Sequence, residues 1–387
     1  MRITDLKTYV MCDGWRNLIF VKLFTDEGLT GLGEATTANR DEAVLAYLEG
    51  ARHRHVIGSD PFQIEDLWAR VYRGDFIRGG TIACAGLSAI DMACYDLMGK
   101  ALGVPVWKLV GGTCRPRVRC YANGWYTVER APAAIAERAR EVVRRGYTAM
   151  KIDPFGAGSM ELEPAERRRC LEIVAAVREA VGPDIDLFIE GHGRFAPVEA
   201  KRLAREMAPF DPGWFEEPCP WDDPLAWREV KAASPIPIAG GEHFQTRYGY
   251  RETIEARAVD ILQPDIGYVG GFTELRKLAA WADAYSIPIA PHNSQGPVNT
   301  AASLHMAFAL PNFKIQEVFD DFMPPFVKAA VPGCPEVVGG YVEPPSAPGL
   351  GVELDEAVIA AHPRRALKFD LFAEGWERRF EGGARIV

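Results

Sequence analysis

Residues 186–190 read Asp-Leu-Phe-Ile-Glu, a short apolar run closed by an acid. The same construction recurs as Gly-Trp-Phe-Glu (213–216), Ile-Pro-Ile-Ala-Gly-Gly-Glu (236–242), Ile-Leu-Gln-Pro-Asp (261–265), Ile-Pro-Ile-Ala-Pro-His (287–292) and Phe-Lys-Ile-Gln-Glu (313–317). Positions 190, 216, 242, 265, 292 and 317 thus carry Glu, Glu, Glu, Asp, His and Glu, one every 25 residues or so. A strand and a returning helix on each beat is the pattern of a (β/α) barrel, whose strands all open at their C-terminal ends into one cavity. A beat of acids and histidines at those ends is one active site laid out along the chain.

Working outward, the predicted strands are Arg119–Ala122, Ala149–Ile152, Leu187–Glu190, Trp214–Glu216, Ile236–Ala239, Asp260–Gln263, Ile287–Ala290 and Lys314–Gln316. Helical stretches at Pro132–Arg145, Pro164–Val181, Pro197–Met207 and Phe272–Tyr285 separate them, and crossover helices impose a parallel sheet. The first third differs: two extended runs, Asn17–Thr25 and Leu29–Ala35, flank the turn Asp26-Glu27-Gly28, and helical periodicity follows at 41–53, 63–74 and 82–102. The expectation is an α/β chain with a modified, TIM-type (β/α)7β barrel over 118–338. An N-terminal α+β capping domain, 1–117, precedes it, and a C-terminal segment, 339–387, returns to that cap.

Composition bounds the function. The 387 residues suffice for a barrel plus a smaller domain, and 44 Lys+Arg against 53 Asp+Glu give a net charge of −9. No basic run interleaves with aromatics, so no nucleic-acid partner is expected. The apolar window 84–102 is broken by Asp91, Asp96 and Lys100 and reads as a core helix, so no membrane partner is expected either. Eight cysteines form no CxxC pair and read as reduced thiols, consistent with a cytoplasmic protein. A homo-oligomer acting on a small molecule is expected.

Glu190, Glu216 and Glu242 end three consecutive predicted strands. Converging carboxylates repel unless a cation holds them, and an all-oxygen donor set favours Mg²⁺, with Mn²⁺ as substitute. On the next two beats, Asp265 can orient His292 and raise its basicity as a general base. His192, two residues past Glu190, is placed by strand alternation on the same side, either as part of the metal surroundings or as a general acid. His243 admits either a structural or a functional role, whereas His53, His55, His305 and His362 fall away from the strand ends.

The segments Gly33-Glu34-Ala35, Lys151-Ile152-Asp153-Pro154-Phe155-Gly156, Ile189-Glu190-Gly191-His192-Gly193-Arg194, Phe215-Glu216-Glu217-Pro218, Gly241-Glu242, Ile261-Leu262-Gln263-Pro264-Asp265, Ala290-Pro291-His292 and Gln316-Glu317 together resemble the mandelate-racemase-like branch of the enolase superfamily. With Tyr121–Tyr126 the chain is most similar, within that branch, to gluconate and galactonate dehydratases. The resemblance matches Glu190, Glu216 and Glu242 to metal-ligand positions. Glu190 stands where the branch more often has Asp, and Glu217 is supporting. It matches Glu317 to the acid that hydrogen-bonds a substrate carboxylate oxygen. Racemases of the group carry Lys-x-Lys where this chain has Lys151-Ile152-Asp153, so the usual second base is lost. A dehydratase needs one base and one acid, which His292 and His192 supply.

The resemblance therefore implies Mg²⁺-dependent dehydration of a galactonate- or gluconate-type aldonate to a 2-keto-3-deoxy sugar acid. Histidine cannot remove an α-proton unaided. Metal stabilisation of the enediolate, general to enolase-superfamily sites, lowers that barrier before the β-hydroxyl leaves. The alternatives are another acid sugar (aldarate, arabinonate, 6-deoxy aldonate), a sugar-acid epimerase, or a silent sugar-acid-binding barrel. Arg194 and Lys151 either bind substrate or balance carboxylates. The Cys12–Arg16 loop, with Trp15 and Arg16, and the Asp75–Gly80 loop are expected to cover the barrel mouth.

Overall fold

The computed structural model describes residues 1–74, 76–381 and 385–386. Three antiparallel strands open the chain, in the order β1 (Ile3–Cys12), β2 (Asn17–Thr25) and β3 (Thr30–Glu34). β1 adds an outer strand to the expected hairpin. Helices Asp41–Ala51, Ile64–Arg73 and Gly80–Leu102 follow, and the last packs on β3. That contact depends on glycine. A Cβ at Gly33 would lie 2.0 Å from the carbonyl oxygen of Ala89, and one at Gly31 would lie 2.1 Å from that of Ala93. Helix Gly80–Leu102 has the length and hydropathy of a membrane span, but 83% of its most apolar window is buried within the protein. It is the core helix expected from its three charges.

The barrel strands are β4 (Val118–Ala122), β5 (Ala149–Ile152), β6 (Asp186–Glu190), β7 (Trp214–Glu216), β8 (Ile238–Gly240), β9 (Ile261–Leu262) and β10 (Gln316–Val318), all parallel. β10 closes on β4. The seventh stave, expected as strand Ile287–Ala290, is held only by isolated bridges, Leu262 to Ile289 and Ile289 to Phe313. Pro288 and Pro291 lack the N–H that a continuous ladder needs. Ile289 and Ala290 still donate to Asn312 and Leu262 at 2.8 and 3.0 Å, which suffices to close the ring. The fifth and eighth strands start two residues later than expected.

Helices Pro132–Arg144, Pro164–Val181, Pro197–Met207, Pro224–Ala233, Thr246–Glu255, Gly271–Ala284 and Pro297–Ala309 link the eight staves, giving the (β/α)7β arrangement. Five of these begin with proline at the first turn, where the missing N–H costs nothing and the fixed φ already suits a helix. One inward residue from each stave forms a buried layer: Tyr121, Ala149, Phe188, Trp214, Ala239, Ile261, Ala290 and Ile315. This layer plugs the barrel and forms the floor on which the strand-end residues stand.

The chain end returns to the first strands. Met11 bridges Pro363, Cys12 donates to the His362 carbonyl at 2.9 Å, and Trp15 packs against Phe369 at 4.5 Å. On the other side, Glu34 of β3 accepts from the backbone N–H groups of Gly296 (2.6 Å) and Asn299 (3.0 Å), at the start of helix Pro297–Ala309. A buried carboxylate there complements the positive helix end and ties the cap to the barrel mouth. All eight cysteines are free thiols.

His305, mid-helix and fully buried, accepts from the Trp107 N–H at Nδ1 and donates from Nε2 to the Leu350 carbonyl, so it is held neutral. Burial pushes its pKa down to about 4. The unfolded chain takes up this proton near pH 6.5 and the folded chain only near 4, so stability is present above 6.5 and lost as pH falls between those values. The expected loss is about 3 kcal/mol. Denaturant titrations from pH 7 to 4 measure it, and His305→Gln should flatten that part of the slope. An unchanged slope would contradict this assignment.

Candidate functional site

Glu190 and Glu216 are register partners at the ends of β6 and β7, and Glu242 lies two residues beyond β8. Oxygens of the three carboxylates lie within 4.8 Å of one another. At Gly191, a Cβ would lie 2.7 Å from the Glu217 carbonyl oxygen. Only glycine lets β6 leave the sheet so close to β7 at the first carboxylate.

Lys151, on β5, enters this cluster from below. Its Nζ lies 2.9 Å from Glu190, 2.5 Å from Glu216 and 3.1 Å from Glu317, and it is 1% exposed. Burial opposes ionisation of Glu190, yet Lys151 and then His192 outweigh it and hold this carboxyl well below the ordinary range. Burial and the charge of Glu190 push Glu216 well above it. One lysine therefore cannot neutralise the cluster. A divalent cation fits the all-oxygen set Glu190, Glu216 and Glu242, whose oxygens converge on one point.

Asp265 and His292 stand on adjacent staves joined by a parallel bridge, and His292 Nδ1 lies 2.6 Å from Asp265 Oδ2. Asp265 is itself fixed by the Gly267 N–H (2.7 Å) and by Gln295 Nε2 (3.0 Å). With Nδ1 engaged, Nε2 points towards Glu242, 3.3 Å away. Burial disfavours the imidazolium, but while no cation balances the carboxylates, Glu242, Glu317 and Asp265 together raise its pKa to about 10; a cation on Glu242 would offset the largest of these effects and favour the neutral imidazole.

His192 reaches the same space by a route other than the expected strand alternation. β6 ends at Glu190, and His192 adopts a left-handed φ of +50° while its N–H donates to Glu190 Oε1 at 2.8 Å. Its Nδ1 lies 2.6 Å from Asp153 Oδ2. The position read only as a lost lysine is therefore the orienting half of a second Asp–His pair. Arg194 clamps Asp153 through Nη2, while its other donors go to the Gly191 carbonyl (3.0 Å) and the Gly156 carbonyl (2.7 Å). All three of the Arg194 guanidinium nitrogens thus donate within the protein. The signal for Asp153 was available: an acid two residues after Lys151 shares its strand face.

Glu317 is fully buried, accepting from Asn123 Nδ2 and the Asn293 N–H, both at 2.7 Å. Burial alone would raise its pKa, but Lys151 and His292 lower it. This carboxylate anchors Lys151, whose Nζ lies 3.1 Å away, and the 292–293 turn. His243 stacks on Trp221 at 3.8 Å and lies 3.1 Å from Glu217.

Lys151, His192, Glu242 and His292 line a cavity of about 620 Å³. Trp15 and Arg16 reach it from the cap, as the first loop was expected to. Arg16 is held by Asp13 at 3.0 Å and by the Ser294 carbonyl across the mouth. Asp75 lies outside the described residues, and the described part of the second loop, 76–80, does not reach this cavity. Phe369, Phe372, Trp376 and Arg379 of the C-terminal segment do reach it, which sequence reading missed.

Residues 6–111 match the mandelate racemase/muconate lactonizing enzyme N-terminal domain, and residues 134–358 match the enolase C-terminal domain-like family. The chain belongs to the enolase superfamily, in its mandelate racemase/muconate lactonizing enzyme branch. Its sequence is 37% identical to the D-gluconate dehydratase of Thermoproteus tenax, covering 88% of this chain and 69% of the relative. It is 35% identical to the D-galactonate dehydratase of Ralstonia pickettii, covering 95% of each. Its structure is similar to that of a mandelate racemase/muconate lactonizing enzyme from Sulfitobacter sp., with a TM-score of 0.90, 35% identity and 97% and 98% of the two chains covered.

Proposed function

We propose that this enzyme, a hydro-lyase like the dehydratases it resembles, removes water from a sugar acid to give a 2-keto-3-deoxy acid. The observation that carries the reading is the facing pair of Asp–His units, His292–Asp265 and His192–Asp153, on either side of three clustered glutamates. Glu190, Glu216 and Glu242 would hold the cation, with Mg²⁺ favoured by their hard oxygens and Mn²⁺ as substitute. Once bound, that cation supplies positive charge to the substrate carboxylate as the α-carbon loses its proton.

His292 takes the α-proton at Nε2, because Asp265 occupies Nδ1. His192 delivers a proton from Nε2 to the departing β-hydroxyl, because Asp153 occupies its Nδ1. Lys151 balances the buried carboxylates, while Trp15 and Arg16 cover the mouth and limit water. Galactonate- and gluconate-type aldonates come first, on the names of the relatives. The domain division at 117/118 and 338/339 belongs to the same reading.

Stereoisomeric aldonates and aldarates incubated with the Mg²⁺-loaded protein should yield a semicarbazide-reactive keto acid. His192→Asn should lose about 10²-fold or more of that dehydration while still exchanging the α-proton in D₂O. Near-wild-type dehydration by that variant would remove His192 from the acid role. Two histidines near one carbon also suit an epimerase, which would place deuterium at C2 and form no keto acid.

A further inference from the structure

Among the described residues four arginines are buried: Arg16, Arg130, Arg194 and Arg379. Arg16 is paired with Asp13, Arg130 with Glu166 and Arg194 with Asp153. Arg379, only 2% exposed, makes no hydrogen bond or ion pair among the described residues, and its Nε and Nη1 are buried without a partner. Leaving a guanidinium so unmatched is costly, and a structural role alone does not require it.

The surroundings of Arg379 deepen the mismatch. Rings of Phe319, Trp15, Phe380 and Trp376 enclose its Cζ at 5.2–5.6 Å, holding a flat cation in place without neutralising it. Arg16 shares two of those rings, its Cζ lying 4.3 Å from Trp15 and 5.8 Å from Phe319. Two buried cations thus sit over the same rings; of the carboxylates that act on Arg379, Asp13 is taken by Arg16, and Glu377, two residues away, makes no hydrogen bond or ion pair to it among the described residues. Burial first, and Arg16 in addition, push the Arg379 guanidinium down to about 10, so it stays charged at neutral pH.

Arg379 also lines the catalytic cavity. Trp376 spans the interval between them: its ring is 6.1 Å from the His192 ring and 5.6 Å from the Arg379 guanidinium.

We propose that Arg379 receives a second negative charge at the far end of the substrate, so that the preferred sugar acid is dianionic. An aldarate carboxylate and the phosphate of a phosphorylated aldonate share that chemistry, and a planar fork of donors suits both. This rests on the sugar-acid reading and selects within it.

Calorimetric titration of the full-length protein with Mg²⁺ tests the proposal, using galactarate, 6-phosphogluconate and galactonate as probes. Binding of one dianion should exceed that of galactonate by about 10- to 100-fold, the worth of hydrogen bonds to a charged group. The favoured dianion identifies the terminal group. Arg379→Gln should erase the preference, lowering dianion affinity far more than galactonate affinity, whereas Arg379→Lys, which keeps the charge and guards against loss of the fold, should retain part of it. Equal affinity for all three probes on the wild type would overturn the proposal. So would an equal loss for all three in Arg379→Gln, which would assign the residue to holding the C-terminal segment. Since affinity and keto-acid formation are read separately, tight dianion binding with no keto acid would refute the dehydratase reading alone. Galactonate turnover with no dianion preference would refute this proposal alone.

Discussion

His292→Asn should abolish exchange of the substrate α-proton with D₂O and lower dehydration by about 10³-fold or more, within the range a positioned base contributes. Asparagine retains a polar group near Asp265, so the buried carboxylate keeps a neighbour able to donate. What it lacks is a titratable nitrogen at the place of Nε2. Because the three glutamates lie on other staves, Mg²⁺ affinity measured by calorimetry should stay near that of the wild type. Exchange persisting at the wild-type rate would locate the base elsewhere, and His192 would be the next to remove.

Lys151→Met should cost about 3–5 kcal/mol of stability in the absence of divalent cation, the scale for removing one partner of a buried ion cluster. Lys151 pairs with Glu190, Glu216 and Glu317, all buried. Methionine preserves the volume but leaves carboxylates that can only protonate or repel. Mg²⁺ should restore part of the loss, since it and the lysine balance the same charge. Thermal unfolding with and without Mg²⁺ reads both effects. If the variant melts with the wild type when no cation is added, the lysine is not what holds the cluster together.

Much of the fold was legible because its signals are local. Prolines mark helix starts at 132, 164 and 197, and short apolar runs ending in an acid or histidine mark the staves. Where the signals conflicted, the strand reading erred: Pro288 and Pro291 sit inside an apolar run and reduce the seventh stave to isolated bridges. The recurrence of Glu190, Glu216 and Glu242 was readable for the same reason as the barrel, since parallel strands of equal phase bring equal positions together.

The sequence by itself determined the barrel, the convergence of the strand-end acids and the pairing of Asp265 with His292. Each follows from spacing along a repeating unit. Only the tertiary structure decided that Asp153 orients His192, since a left-handed turn after Glu190, not strand alternation, brings that ring back over β5. Only it decided that Arg194 is committed internally, that Lys151 sits among the carboxylates, and that Arg379 enters the cavity from far down the chain. The C-terminal segment has no repeat to place it, and its position depends on contacts with β1, Trp15 and the barrel mouth. Contacts between residues so distant in sequence leave no periodic trace, so the end of the chain that completes the cavity could be read only once the chain had folded.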